Sequence, residues 1–249
     1  MINYMKSESY RLLRKKGLYV TTMICFGLIS AAGWILYYFD KTDANFPYGT
    51  SEFFNSNVIA SGVVIIIIGV LYNSALTGKD LSLLKQSISF GISRNTIFWS
   101  KLILSLSYFV LVCVVGIILT IVLGETMLTS NQDSVQNFLI ACINMAPIVL
   151  SGFVLTHSLK MLHVGDVLMV IILVFMYGYS SNLLRVIFRP FSGLDELYQY
   201  APSFLLSDNL SNYVDNAMQL DLKYWLVGTM ITLIALLVAT NRFSKQNID

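Results

Sequence analysis

Long apolar runs separated by polar intervals set the pattern of this chain. Six of them, at residues 18–39, 57–77, 102–123, 136–157, 165–184 and 224–240, come close to the roughly 20 mostly apolar residues needed to cross a hydrocarbon core. Only Asp166, at the margin of the fifth, breaks the absence of Asp, Glu, Lys and Arg within them. A run of this length must satisfy its backbone groups internally, so helices are expected. The unbroken apolar stretch from Val63 to Gly69 lacks the alternation of an outer-membrane barrel. The expected fold is all-α: a single domain over residues 1–249, polytopic, with six transmembrane helices.

The connecting segments carry their own patterns. In residues 1–17, Ile2, Met5, Leu12 and Leu13 fall near one helical face, with Lys6, Arg14 and Lys15 on the other. That arrangement suits a helix lying in the membrane interface. Residues 18–39 exceed the roughly 7–15 apolar residues of a cleaved signal, and Trp34 to Phe39 continue the run, so an uncleaved span is expected. Leu81, Leu84 and Ile88 keep helical spacing inside the basic loop 78–101. The long segment 185–223 holds Leu194, Leu197, Tyr198 and Ala201 at similar spacing between Pro190, Gly193 and Pro202, which predicts short helices dipping toward the membrane.

Charge gives the orientation. With the N-terminus inside, twelve of the sixteen Lys and Arg residues fall in inner segments and four (Lys41, Arg185, Arg189 and Lys223) in outer ones, whereas ten of the fourteen acidic residues lie outside. The positive-inside bias therefore predicts cytoplasmic termini in a cell membrane. A composition of 56% hydrophobic and 12% charged residues leaves too little charge to cover a soluble core of this size. The net charge of +2 gives no reason to expect nucleic acid as a partner. Cys25, Cys113 and Cys142 all lie in apolar runs and read as small hydrophobic residues.

Catalytic patterns are not found. His157 and His163 flank a short loop six residues apart, with no Cys or Glu to complete a metal site. Gly78-Lys79 is not part of a phosphate loop, because Asn73 and Asp80 stand where Gly and Ser or Thr would be needed. Asp166 reads as a helix cap. Asn73, Asn144 and Asn182 read as interhelical hydrogen-bonding groups, with Asn144, near Pro147, also a candidate for lining a pathway. Asn209-Leu210-Ser211 is a formal glycosylation sequon. No cofactor, metal or catalytic residue is expected.

The stretch GKDLSLLKQSISFGISRNTIFWSKL, residues 78–102, resembles the cytoplasmic loop of type-2 ABC exporter permeases. Leu81, Leu84 and Ile88 match the family's amphipathic helix, and Ser93-Arg94 and Lys101 match the elements that follow it. Length and layout look most similar to small bacterial permeases of lantibiotic immunity and antimicrobial-peptide export. At Gly78-Lys79-Asp80-Leu81 the chain departs from the Glu before a Gly-Thr pair found in many members, so no docking contact is carried over to Lys79 or Asp80. The resemblance implies a permease without an ATPase site, exporting amphipathic peptides or other hydrophobic compounds. It would be paired with a second permease chain, identical or a sister subunit, in membrane lipid and driven by separate ABC ATPase subunits that bind the ATP. It also implies a coupling helix carrying Leu81, Leu84, Lys85, Ile88 and Arg94, and an interfacial elbow carrying Met5, Arg11, Leu12 and Arg14. The alternative is a self-contained channel or secondary transporter, which would need a polar pore or buried ionisable groups.

Overall fold

The computed structural model describes residues 2–43, 45–77, 81–131, 133–191 and 195–245, the side chains of 81–84 and 195 excepted. In chain order the helices are α1 (Ile2–Leu13), α2 (Lys16–Thr42), α3 (Ser51–Ala60), α4 (Gly62–Thr77), α5 (Leu81–Ser89), α6 (Arg94–Met127) and α7 (Ser134–Met161). Then come α8 (Asp166–Val174), a π-helical turn (Phe175–Tyr179), α9 (Ser180–Phe188), a 3-10 turn (Asp195–Tyr200), α10 (Pro202–Val214) and α11 (Leu222–Lys245). The described residues contain no strand, only a single bridge between Thr50 and Thr129.

Five helical stretches are long and apolar enough to cross a membrane: α2, α6, α7, α8 through α9, and α11. The bent pair α3–α4 makes a sixth if its two arms count as one span. The span expected at 57–77 is thus not one straight helix, because its two parts meet at 57°. The cause lies at Ser61-Gly62, a small Ser/Gly pair of the kind that kinks helices. Leu206 and Met145 pack so closely on Gly62 that a Cβ there would lie 3.0 Å and 3.2 Å from them, which braces the bend. Helix α3 also begins well before residue 57, because the Thr50 side chain accepts from Phe53 N–H at 3.2 Å and caps it.

Other spans run past their apolar limits. Helix α6 has 34 residues, about 51 Å of helix against a hydrocarbon core of about 30 Å. The helix is longer than the core requires, and its first eight residues carry Arg94 and Lys101. Gly91, at φ 79°, ends α5 in the left-handed conformation, with Ile92 N–H bonded to Ser87 O at 3.2 Å and Gly91 N–H to Ile88 O at 2.9 Å. Ser93 then caps α6 through Thr96 N–H at 3.2 Å.

Helix α7 forms the axis of the bundle: 67% of its apolar window is buried, against 11% for α2. It lies against α4 and α11 through two glycines. A Cβ on Gly228 would lie 2.5 Å from the Pro147 carbonyl oxygen, and one on Gly152 would lie 2.6 Å from Ile66. At Gly228 the neighbour is backbone and leaves no room for a side chain, whereas at Gly152 it is the Ile66 side chain, which would have to shift. The chain crosses back and forth so that α1, the end of α4, α5, the start of α6 and the end of α11 share one end of the bundle with the N-terminus. Helices α3 and α10 occupy the other end.

One smaller expectation is corrected, and the formal sequon is placed. Asp166 is not the cap of α8: Gly165 holds that position, and the Asp166 carboxylate pairs with Lys160 across the α7–α8 turn. Asn209 is 1% exposed and donates to Ala141 O at 3.0 Å, so the sequon offers no accessible acceptor.

Candidate functional site

At the end of the bundle that holds the N-terminus, charged groups converge on the last turn of α4. The final carbonyls of a helix have no intrahelical partners, and basic side chains are favoured there. Helix α4 carries no basic residue in its last turn, and its neighbours supply them. Lys101 Nζ of α6 donates to Leu76 O at 2.5 Å, and Arg11 Nη2 of α1 donates to the same oxygen at 3.2 Å. Glu8 of α1 offsets the two cations, lying 3.2 Å from Arg11 and 4.0 Å from Lys101. Glu8 and Lys101 are both buried. Taking two charges out of water is costly unless both are paired and hydrogen-bonded, and here one carbonyl and one carboxylate serve two cations. The result is an electrostatic joint between α1, α4 and α6.

Tyr4 extends the joint to α5. Its hydroxyl interacts with Glu8 and with Ser87, and burial, then the Glu8 carboxylate, push the phenol above its ordinary pKa, so it stays neutral. Between α1 and the α5–α6 turn lies a groove of about 780 Å³, lined among others by Asn3, Glu8, Gln86, Phe90 and Thr96. Phe90 is 77% exposed at its edge.

A second, neutral knot lies one layer deeper. Asn73 Nδ2 of α4 donates to His157 Nδ1 at 3.1 Å, and His157 Nε2–H donates to Phe98 O of α6 at 3.2 Å. Thr77 Oγ1 donates to Asn73 Oδ1 at 2.8 Å, which fixes the amide's orientation. His157 is therefore an interior tie between α4, α6 and α7. Among the described residues, no three His, Cys, Asp or Glu side chains converge in a way that could hold a metal.

The residues expected to couple to a partner fall into different environments. Leu81 and Leu84 lie on α5, Lys85 is exposed, and Ile88 is half-buried against the core. Lys79 and Asp80 lie outside the described residues. Arg94 turns inward, donating to Phe243 O at 3.4 Å and Ser244 O at 3.2 Å at the end of α11. On α1, Leu12 is buried, Met5 is half-buried, Arg11 belongs to the joint, and Arg14 stacks over the Tyr10 ring at 4.1 Å. Ile2 and Leu13 are exposed, and the face of α1 packed on the bundle runs through Tyr4, Glu8 and Leu12, of which Leu12 belongs to the expected apolar set. Asn144, the candidate pathway residue, is 2% exposed. Its amide donates to Gln219 O at 2.9 Å and accepts from Asp221 N–H at 3.2 Å. Both ends of that amide are used to hold the segment that enters α11.

Glu8 and Lys101 were missed as a pair. Glu8 is the only acidic residue in the first 39 and stands three residues before Arg11, which was the available signal. No protein-family model and no curated protein matches the sequence.

Proposed function

We propose that the chain is the transmembrane permease subunit of an ATP-driven ABC exporter, with both termini cytoplasmic. Its cargo would be amphipathic or antimicrobial peptides, or other hydrophobic compounds. The observation that carries this reading is the joint at Leu76 O, where α1 and α6 both hold the end of α4 beside the short helix α5. A separate ATPase subunit seated on α5 moves it. Ser87 and Tyr4 pass the displacement to α1, and Glu8, Arg11 and Lys101 pass it to α4 and α6. Nucleotide drives the change only through the partner's different affinity for the two arrangements. The low burial of α2, α6 and α8–α9 leaves faces for lipid and a second permease chain. The ionisable residues of the described spans sit near helix ends, which favours an external energy source over an ion-coupled carrier.

The test uses the chain co-expressed with an ATPase encoded beside it. Purified alone, the chain hydrolyses no ATP; purified from co-expression, it retains the ATPase. Leu84→Pro breaks α5, and Lys85→Glu reverses an exposed charge; each uncouples ATP turnover from export. Lys85 is the cleaner probe, because Arg94 also holds α11. Hydrolysis by the isolated chain, or undiminished export in both variants, contradicts the proposal.

A further inference from the structure

Helix α1 has two faces, and the bundle uses one of them. At about 100° per residue, Arg11, Tyr4, Glu8 and Leu12 fall within an arc of about 100° that turns to the bundle. Nearly opposite, Ile2, Leu13, Lys6 and Tyr10 fall within about 80°, and Arg14 continues that arc just past the end of the helix. Ile2, Tyr10 and Leu13 are each more than half exposed, and Lys6 and Arg14 are exposed with them. Tyr19 of α2, exposed as well, donates from Oη to Leu13 O at 2.8 Å, and Lys16 beside this corner is exposed. The surface therefore runs on from α1 into α2, the least buried of the five long spans.

The mixture of side chains on this surface selects its surroundings. Water leaves Ile2, Tyr10 and Leu13 bare, and hydrocarbon leaves Lys6, Arg14 and Lys16 unpaired. The headgroup layer takes both, apolar parts toward the acyl chains and cationic tips toward the phosphates. Position agrees, because the apolar run of α2 begins at Leu18, two residues past Lys16. Charge then chooses among headgroups. Glu8, the only acidic residue before Asp40, is buried on the other face of α1 with Arg11 and Lys101. Among the described residues no carboxylate pairs with Lys6, Arg14 or Lys16. The Arg14 guanidinium lies over the Tyr10 ring at 4.1 Å, which holds it in place and leaves its N–H edge for phosphate oxygens. The counter-charge has to come from outside the chain, on a surface continuous with the lipid-facing side of α2.

We propose that the exposed arc of α1 and the corner at Arg14 and Lys16 bind anionic phospholipid. Phosphate oxygens accept from Arg14, Lys16 and Lys6, and Ile2, Tyr10 and Leu13 sit among the upper acyl chains. The chain thus selects negatively charged headgroups in the leaflet on the side of its N-terminus, which is more than lying at an interface. No residue of this arc lines the groove between α1 and the α5–α6 turn. The inference stands whether or not the chain is an exporter subunit.

The full chain, purified in detergent and given phosphatidylglycerol or phosphatidylcholine with the same acyl chains, is weighed by native mass spectrometry to count retained lipid. The expected result is several-fold more phosphatidylglycerol than phosphatidylcholine, a preference that shrinks as salt rises. Lys6→Gln, Arg14→Gln and Lys16→Gln combined bring retention of the two lipids level, each cation near an anionic surface contributing up to about fivefold. None of the three ties α1 to the bundle, so the fold is kept. Lys6→Arg with Lys16→Arg keeps the preference, and Arg242→Gln, which removes an exposed cation on α11, changes it little. In vesicles, amide exchange over residues 2–16 is slower with phosphatidylglycerol than with phosphatidylcholine. Equal retention of the two lipids, or a preference untouched by the triple change, overturns the proposal. So does protection of 2–16 that requires a co-expressed ATPase and is the same in both lipids, which would give this face to a protein.

Discussion

The two ends of the bundle are held together by different chemistry. At the end carrying the N-terminus, charge joins the helices: Glu8, Arg11 and Lys101 meet at Leu76 O beside an open groove. At the other end most ties are neutral, beside one carboxylate, Asp208, which accepts from Tyr224 Oη of α11 at 3.0 Å. Ser51 and Ser134 share a hydrogen bond of 2.8 Å, Asn209 holds Ala141 O, and Asn144 holds the strand of chain before α11. Neutral bonds to backbone are short-ranged and specific, and α10 packs over them with Leu205 and Leu206 buried. Charges attract over a longer distance and can exchange partners as helices shift. On the proposed function, the first end is the one that moves and the second the one that stays closed.

The largest expected effect breaks the charged end. Glu8→Ala removes the carboxylate that lies 3.2 Å from Arg11 and 4.0 Å from Lys101 and costs about 3 kcal/mol of stability in detergent, measured by thermal or denaturant unfolding. The double change Glu8→Ala with Lys101→Met recovers a large part of that loss, which isolates the pair. At the neutral end, Asn144→Leu leaves the Gln219 and Asp221 backbone groups unpaired and costs about 1–2 kcal/mol. If Asn144→Leu costs more than Glu8→Ala, the contrast between the ends is reversed.

Smaller changes sharpen the same contrast. His163, at φ 60°, and Asn216, at φ 53°, both end helices in the left-handed conformation, one at each end of the bundle. Asn tolerates that conformation and His does so less readily. His163→Gly therefore gains up to about 1 kcal/mol, while Asn216→Gly changes stability little. The smallest effect is on pH. The Tyr4 phenol has its pKa raised in the folded chain, so the folded state keeps a proton that the unfolded state releases. Its contribution is complete below the ordinary tyrosine value of about 10 and is lost as pH rises above it. Tyr4→Phe removes that alkaline slope, read from unfolding midpoints at successive pH values.

The spans were legible because lipid demands long uncharged runs, and α2, α7 and α11 begin and end within a few residues of those runs. The bend at Ser61-Gly62 was not legible, since both arms are apolar and the pair differs little from small pairs in straight helices. Helix existence at 2–13 and 81–89 followed from spacing. The packed face of α1 did not, because its burial is set by Leu76 O, an acceptor that belongs to every residue alike and leaves no mark in the sequence. The same holds for Asn144: its type announced a hydrogen-bonding group, but its partners are backbone atoms in an irregular segment. His157 ends the apolar run 136–157, and its full burial was not legible because α7 continues four residues past that run, to Met161.

The most direct measurement compares the motion of the two ends. Nitroxide pairs are placed across the groove at Lys6 and Lys85, and across the other end at Glu52 and Ser207, in vesicles holding the chain with the ATPase subunit proposed as its partner. Electron–electron resonance then gives both distances with and without ATP. The account predicts a changed Lys6–Lys85 distance and a constant Glu52–Ser207 distance. A fixed groove distance, with or without movement at the closed end, would contradict it.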